Sequence, residues 1–159
     1  MFKNLKNQGA LGITLAAAGI LMITMGARQS IGLFVGPMNT STGLGIATIS
    51  FALAIAQFTW GAVQPIAGAA ADRWGPRAVL IGGVLMLAVG TAITPLMGTG
   101  PGLIFAQGLL VAAGAGAGSF SVLIGAAAQR MPAASRGSAS GVINAGGSLG
   151  QFVFAPIAQ

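Results

Sequence analysis

Long runs of residues almost without charge dominate this chain and limit what it can fold into. Five such stretches cover about residues 9–35, 46–71, 77–97, 102–129 and 137–159. A helix of roughly 20 apolar residues spans a bilayer core of about 30 Å, so each stretch is a candidate transmembrane helix. The breaks carry turn chemistry: Gly36-Pro37 followed by residues 39–45, Trp74-Gly75-Pro76, residues 98–102, and Met131-Pro132 up to Gly137. The sequence therefore predicts an all-α transmembrane fold with five helices.

Composition supports this. Charged residues make up 5% of the 159 residues and hydrophobic residues 55%, with a mean hydropathy of +0.88. A soluble domain carries about 25% charged residues, so this chain has too few to cover a surface facing water. The 27 glycines suit close packing of membrane helices. A cleaved signal peptide is the competing reading of the N-terminus. The run after Lys6 is longer than the usual apolar region of such a peptide, and it reaches Arg28 without a clear cleavage site.

Several function classes are excluded. The chain has no Cys and no His, so no site built on those metal ligands and no thiolate chemistry is expected. Its single acid, Asp72, cannot form a carboxylate pair for acid–base catalysis. No phosphate-binding Gly-Lys-Ser/Thr pattern occurs, and no lysine follows Lys6. We expect a non-enzymatic protein with no cofactor, no metal and no nucleic-acid partner.

The basic residues indicate an orientation. Lys3 and Lys6 precede the first helix, Arg73 and Arg77 follow the second, and Arg130 and Arg136 follow the fourth. The two remaining loops are uncharged. The positive-inside rule then places the N-terminus in the cytoplasm of a multi-pass protein of the cell (inner) membrane.

Arg28 is the one basic residue outside this pattern, inside the first apolar stretch. A membrane-embedded charge is costly and usually faces a cavity or a partner. Its planar fork matches a carboxylate, and no span contains an acid to neutralise it. A transported anion is one candidate for the missing charge. Snorkelling to the headgroups and pairing with protein outside this chain are the others. Polar residues recur in other stretches: Ser50, Gln57 and Gln64, then Gln107, Ser119 and Ser121, then Ser140, Asn144, Ser148 and Gln151. Arg28, Gln57, Asn144 and Gln151 are the candidate substrate-binding residues. The third stretch has only Thr91 and Thr94, which can bond to their own backbone, and reads as a lipid-facing support. Gly114, Gly118, Gly141, Gly146 and Gly150 are candidate helix-packing positions.

The segment Gly68-Ala-Ala-Ala-Asp72-Arg73-Trp-Gly75-Pro-Arg77 resembles the signature loop of the major facilitator superfamily, Gly-x-x-x-Asp-Arg-x-Gly-x-Arg/Lys, at the place where that family carries it. The resemblance implies a cytoplasmic gate formed by Gly68, Asp72, Arg73, Gly75 and Arg77. From the residues alone, Asp72 between two arginines reads as a salt-bridge cluster. Arg136, Ala139, Gly141, Ala145, Gly146 and Gly150 are spaced as in the fifth helix of monocarboxylate porters. Ala27-Arg28-Gln29-Ser30-Ile31 with Phe34 is similar to the segment where those porters hold a membrane-embedded cation. The resemblance implies a secondary active transporter, a symporter of a small organic anion such as a monocarboxylate, with Arg28 on the carboxylate. Two departures stand out. Leu110 occupies a position that is arginine in many members, and the acidic-Gly-Trp opening of eukaryotic monocarboxylate porters is absent. The resemblance covers five of twelve expected helices, so the expected partners are the anion, the bilayer, and a missing C-terminal half or another copy. The alternatives are a truncated or half-transporter acting only as an assembly partner, and a permease for a neutral solute or drug.

Overall fold

The computed structural model describes residues 8–157. The charges expected to anchor the N-terminus, Lys3 and Lys6, lie outside that range. The described residues form helices joined by short turns, with no strand among them. Among the described residues, four helical spans are long and apolar enough to cross a membrane: Gly9–Thr42, Ile46–Trp74, Pro76–Leu96 and Gly100–Ala128.

The first span comprises α1 (Gln8–Ser30), a 3-10 turn (Ile31–Phe34) and α2 (Val35–Thr42). The expected break at Gly36-Pro37 does not occur. Pro37 sits in the first turn of α2, where its missing N–H costs nothing, and the helix continues to Thr42. The chain turns instead at Gly43 and Gly45, whose φ values of 66° and 82° favour glycine. The second span is α3 (Ile46–Trp74), which ends at Gly75, φ 87°. Pro76 then opens α4 (Pro76–Ile93), and a 3-10 turn over Thr94–Leu96 closes the third span.

The fourth span is not one regular helix. It runs through α5 (Gly100–Leu103), a π-helical segment (Ile104–Val111) and α6 (Ala112–Ala117), breaks at Gly118-Ser119, and resumes as α7 (Phe120–Ala128). Finally, α8 (Ala133–Ile157) begins before the expected position 137 and takes Arg136 into its first turns. At 25 residues α8 is long enough to span. It is not among the four apolar spans, because serines, glycines and Asn144 dilute its apolar residues.

Small side chains form the interior. One cluster joins α1, α7 and α8 through Ala10, Ala17, Leu21, Leu123, Ala127, Ala139 and Ile143. A second joins α3 to the fourth span through Ala67, Ala71, Ala117 and Val122. A third, Ile49, Ala52 and Leu103, lies where α3 begins. Large apolar residues point outward instead, among them Phe51, Phe58, Ile66, Leu85, Phe105 and Phe152. A chain folded for water would bury these first. A bilayer makes their exposure favourable. Two buried hydroxyls turn back onto their own helix: Thr14 Oγ1 donates to Ala10 O at 2.7 Å and Ser30 Oγ to Gly26 O at 2.9 Å.

Candidate anion site

Arg28 lies in the last turn of α1, facing α3. Its Nη2 donates to Oε1 of Gln57, and its Cζ lies 4.4 Å from the ring centroid of Trp60. Gln57 and Trp60 are three residues apart on α3, so they share one helix face. The guanidinium thus meets an amide oxygen and an aromatic face, both uncharged. A cavity of about 180 Å³ opens beside it, lined by Arg28, Gln29, Ile31, Gly32, Leu53, Ala56 and Gln57. That is about six water molecules' share of liquid volume. One unneutralised cation at a small cavity suits a small anion, because the fork can form paired charge-assisted hydrogen bonds to a carboxylate.

Trp60 belongs to this cluster although the sequence reading did not single it out. Its three-residue spacing from Gln57 was the available signal. The polar face of α3 continues to Gln64, whose Oε1 accepts from Ser121 Oγ of α7 at 3.2 Å. Among the described residues, the buried Trp60 Nε1 and Ser119 Oγ have no hydrogen-bond partner.

The other two candidates do not join Arg28. Asn144 and Gln151 are exposed on α8, in line with Ser148. Their side chains face away from α1, because the glycine face of α8 is the one that packs against it. A larger cavity of about 610 Å³ lies between α2, the end of α4 and the start of the fourth span. Its walls are apolar apart from side chains such as Ser41, Thr42, Thr94 and Gln107. No charged group lines it, so nothing there offsets the burial of an ion.

The signature segment straddles the α3–α4 turn. Gly68 lies on α3 with open space at its Cα, Gly75 makes the turn, and Asp72, Arg73 and Arg77 are exposed. The expected salt-bridge cluster is absent: among the described residues Asp72 makes no ion pair. Arg73 instead lies over the Trp74 ring, 5.6 Å from its centroid. Exposed ions gain little by pairing when water already solvates them.

The glycines divide. A β-carbon on Gly146 would lie 2.6 Å from Ala18 O, one on Gly114 2.5 Å from Gly83 O, and one on Gly118 2.9 Å from Thr24 Cγ2. Gly150 is closed off by the backbone of Met22. Gly141 is exposed, and among the described residues no atom lies near it. It sits one turn before Ala145 on the side of α8 turned away from α1. Gly83 and Gly90, which the sequence reading passed over, are buried against the fourth span.

The sequence profile described as Major Facilitator Superfamily matches residues 17–159. An oxalate:formate antiporter of Oxalobacter formigenes is 30% identical over 145 residues, which are 91% of this chain and 34% of the antiporter. The chain thus spans about a third of the length of this curated relative. No solved structure matches it significantly.

Proposed function

The chain belongs to the major facilitator superfamily, and from that premise we propose that it takes part in moving a small carboxylate across the membrane by alternating access. One observation carries the reading: Arg28 is a charge within an apolar span, held by uncharged partners beside a small cavity. The similarity to an oxalate:formate antiporter supports the same substrate class. Within it we favour a monocarboxylate, taken up by symport or exchanged for another carboxylate. We place the protein in the inner membrane with its N-terminus in the cytoplasm, as the arginines of the α3–α4 and α7–α8 turns suggest. Asp72, Arg73 and Arg77 would then gate the cytoplasmic end, while Asn144 and Gln151 would line the wall opposite a second bundle.

The test is uptake of labelled formate and oxalate into proteoliposomes. We expect Arg28→Gln to reduce uptake at least about tenfold, because one charge-assisted pair is lost. Arg28→Lys should retain part of it. Unchanged carboxylate uptake in Arg28→Gln would sink the role of Arg28.

A second reading is favoured by the exposed polar line of Asn144, Ser148 and Gln151, which has no covering helix among the described residues. The chain would then supply one wall of a pathway, completed by further helices or a second copy. Its mass in detergent separates the cases. A monomer that transports carboxylate needs no partner, whereas uptake only by a larger assembly favours the second reading.

A further inference from the structure

We propose that Trp60 is a positioning residue for the anion site: its indole face holds the Arg28 guanidinium so that the edge of the fork stays available to a carboxylate. This rests on the assignment of Arg28 as the anion anchor. Three observations on α1 and α3 carry it.

The first is geometric. With Cζ 4.4 Å from the ring centroid, the guanidinium lies within cation–π range of Trp60. Gln57, three residues earlier on the same helix, meets Nη2. The cation therefore lies over the face of the ring while the amide takes one of its N–H donors. An arginine side chain is otherwise mobile, and ordering it at the moment of binding weakens affinity. A platform that orders it beforehand avoids that cost.

The second is electrostatic. The chain's single acid, Asp72, lies at the far end of α3, so no carboxylate within the described spans compensates Arg28. An acid beside Arg28 would neutralise it and compete with any incoming anion. A π face stabilises the cation through its quadrupole and leaves the net charge in place. A Trp and a Gln thus keep a guanidinium in an apolar span without neutralising it.

The third is the unpartnered indole N–H. A buried Trp nitrogen normally finds an acceptor, and among the described residues that of Trp60 has none. Among the described residues the ring meets Arg28 through its face and not through its N–H. What it contributes is its face.

The experiment uses the two-tryptophan chain with Trp74→Phe, which leaves Trp60 as the sole indole reporter. Sodium formate and sodium oxalate are titrated against a sodium chloride control, reading indole emission and thermal stability. We expect a saturable emission change that Arg28→Gln abolishes. Trp60→Leu should shift the concentration for half-maximal thermal stabilisation upward roughly tenfold. Trp60→Phe, which keeps a ring but no N–H, should stay within about threefold of the parent. A Trp60→Leu protein that is monodisperse, melts cooperatively and binds at the parental concentration would overturn the positioning role and leave the Arg28 assignment standing. Trp60→Phe failing as badly as Trp60→Leu would overturn it too, since the ring face would not be the cause. If the parent shows no saturable response to either anion, the Arg28 assignment falls and the role of Trp60 falls with it.

Discussion

The backbone of Met22 on α1 leaves no space for a β-carbon on Gly150 of α8. Gly146, one turn earlier, faces Ala18 in the same way, and Gly147 faces Leu21. Together these glycines let α1 and α8 approach along much of their length, the most extensive helix pairing in the fold. Gly150→Ala should therefore destabilise the bundle by about 1–3 kcal/mol through overpacking against a backbone that cannot yield. Gly141→Ala, in open space on the same helix, should be neutral or slightly stabilising because alanine is the better helix former. Thermal unfolding in detergent compares the two. Equal losses would mean that the glycine contacts do not set the helix approach.

Gln107 and Thr94 predict an asymmetry. Nε2 of the buried Gln107 donates to Thr94 Oγ1 at 2.8 Å, while that hydroxyl donates to Gly90 O at 2.7 Å. Gln107→Leu leaves the threonine hydroxyl bonded to its own helix and should cost less than about 1 kcal/mol. Thr94→Val strands the buried amide and should cost about 1–3 kcal/mol. The reverse order in a denaturation series would show that another group satisfies the amide.

Gly75 separates α3 from α4 at a φ of 87°, a region that side chains with a β-carbon enter only at a cost. With ψ at 146° the conformation is open essentially to glycine alone, so Gly75→Ala should lower stability by about 1–3 kcal/mol on backbone strain alone. Gly68→Ala in the same signature segment meets no atom and should leave stability unchanged or raise it. Comparing melting temperatures with uptake of labelled formate separates the two glycines' structural weight from any part in gating.

Membrane orientation can be read by cysteine labelling, since the chain has no cysteine of its own. Ser41 at the end of α2 and Ala134 at the start of α8 are both exposed. With the arginine-rich turns in the cytoplasm, an impermeant maleimide should label Ser41→Cys on intact cells. Ala134→Cys should be labelled only after the membrane is opened. The opposite pattern would invert the topology.

Local chemistry made much of this protein legible. The apolar runs announced an all-α membrane fold, because a span's length and polarity are properties of consecutive residues. The signature segment pointed to the superfamily for the same reason, since its residues are contiguous around one turn. Arg28 stood out because a charge in an apolar run is costly wherever its neighbours lie. The continuation of the first span past Pro37 was missed, because a proline in the first turn of a new helix looks in sequence like one that ends a helix. The π-helical segment and the break at Gly118-Ser119 were equally hidden inside one uniformly apolar stretch.

What the sequence by itself determined was which segments leave water and which residue carries charge among them. Only the tertiary structure decided what that charge meets. Gln57 and Trp60 lie 29 and 32 residues from Arg28, and no spacing rule along one helix reaches between α1 and α3. α1 and α3 are not packed on one another; the long Arg28 side chain crosses to Gln57 and Trp60, while small-residue contacts with the fourth span and α8 hold the two helices in place. The same packing turned Asn144 and Gln151 outward, because Gly146 and Gly150 claim the face of α8 that lies against α1.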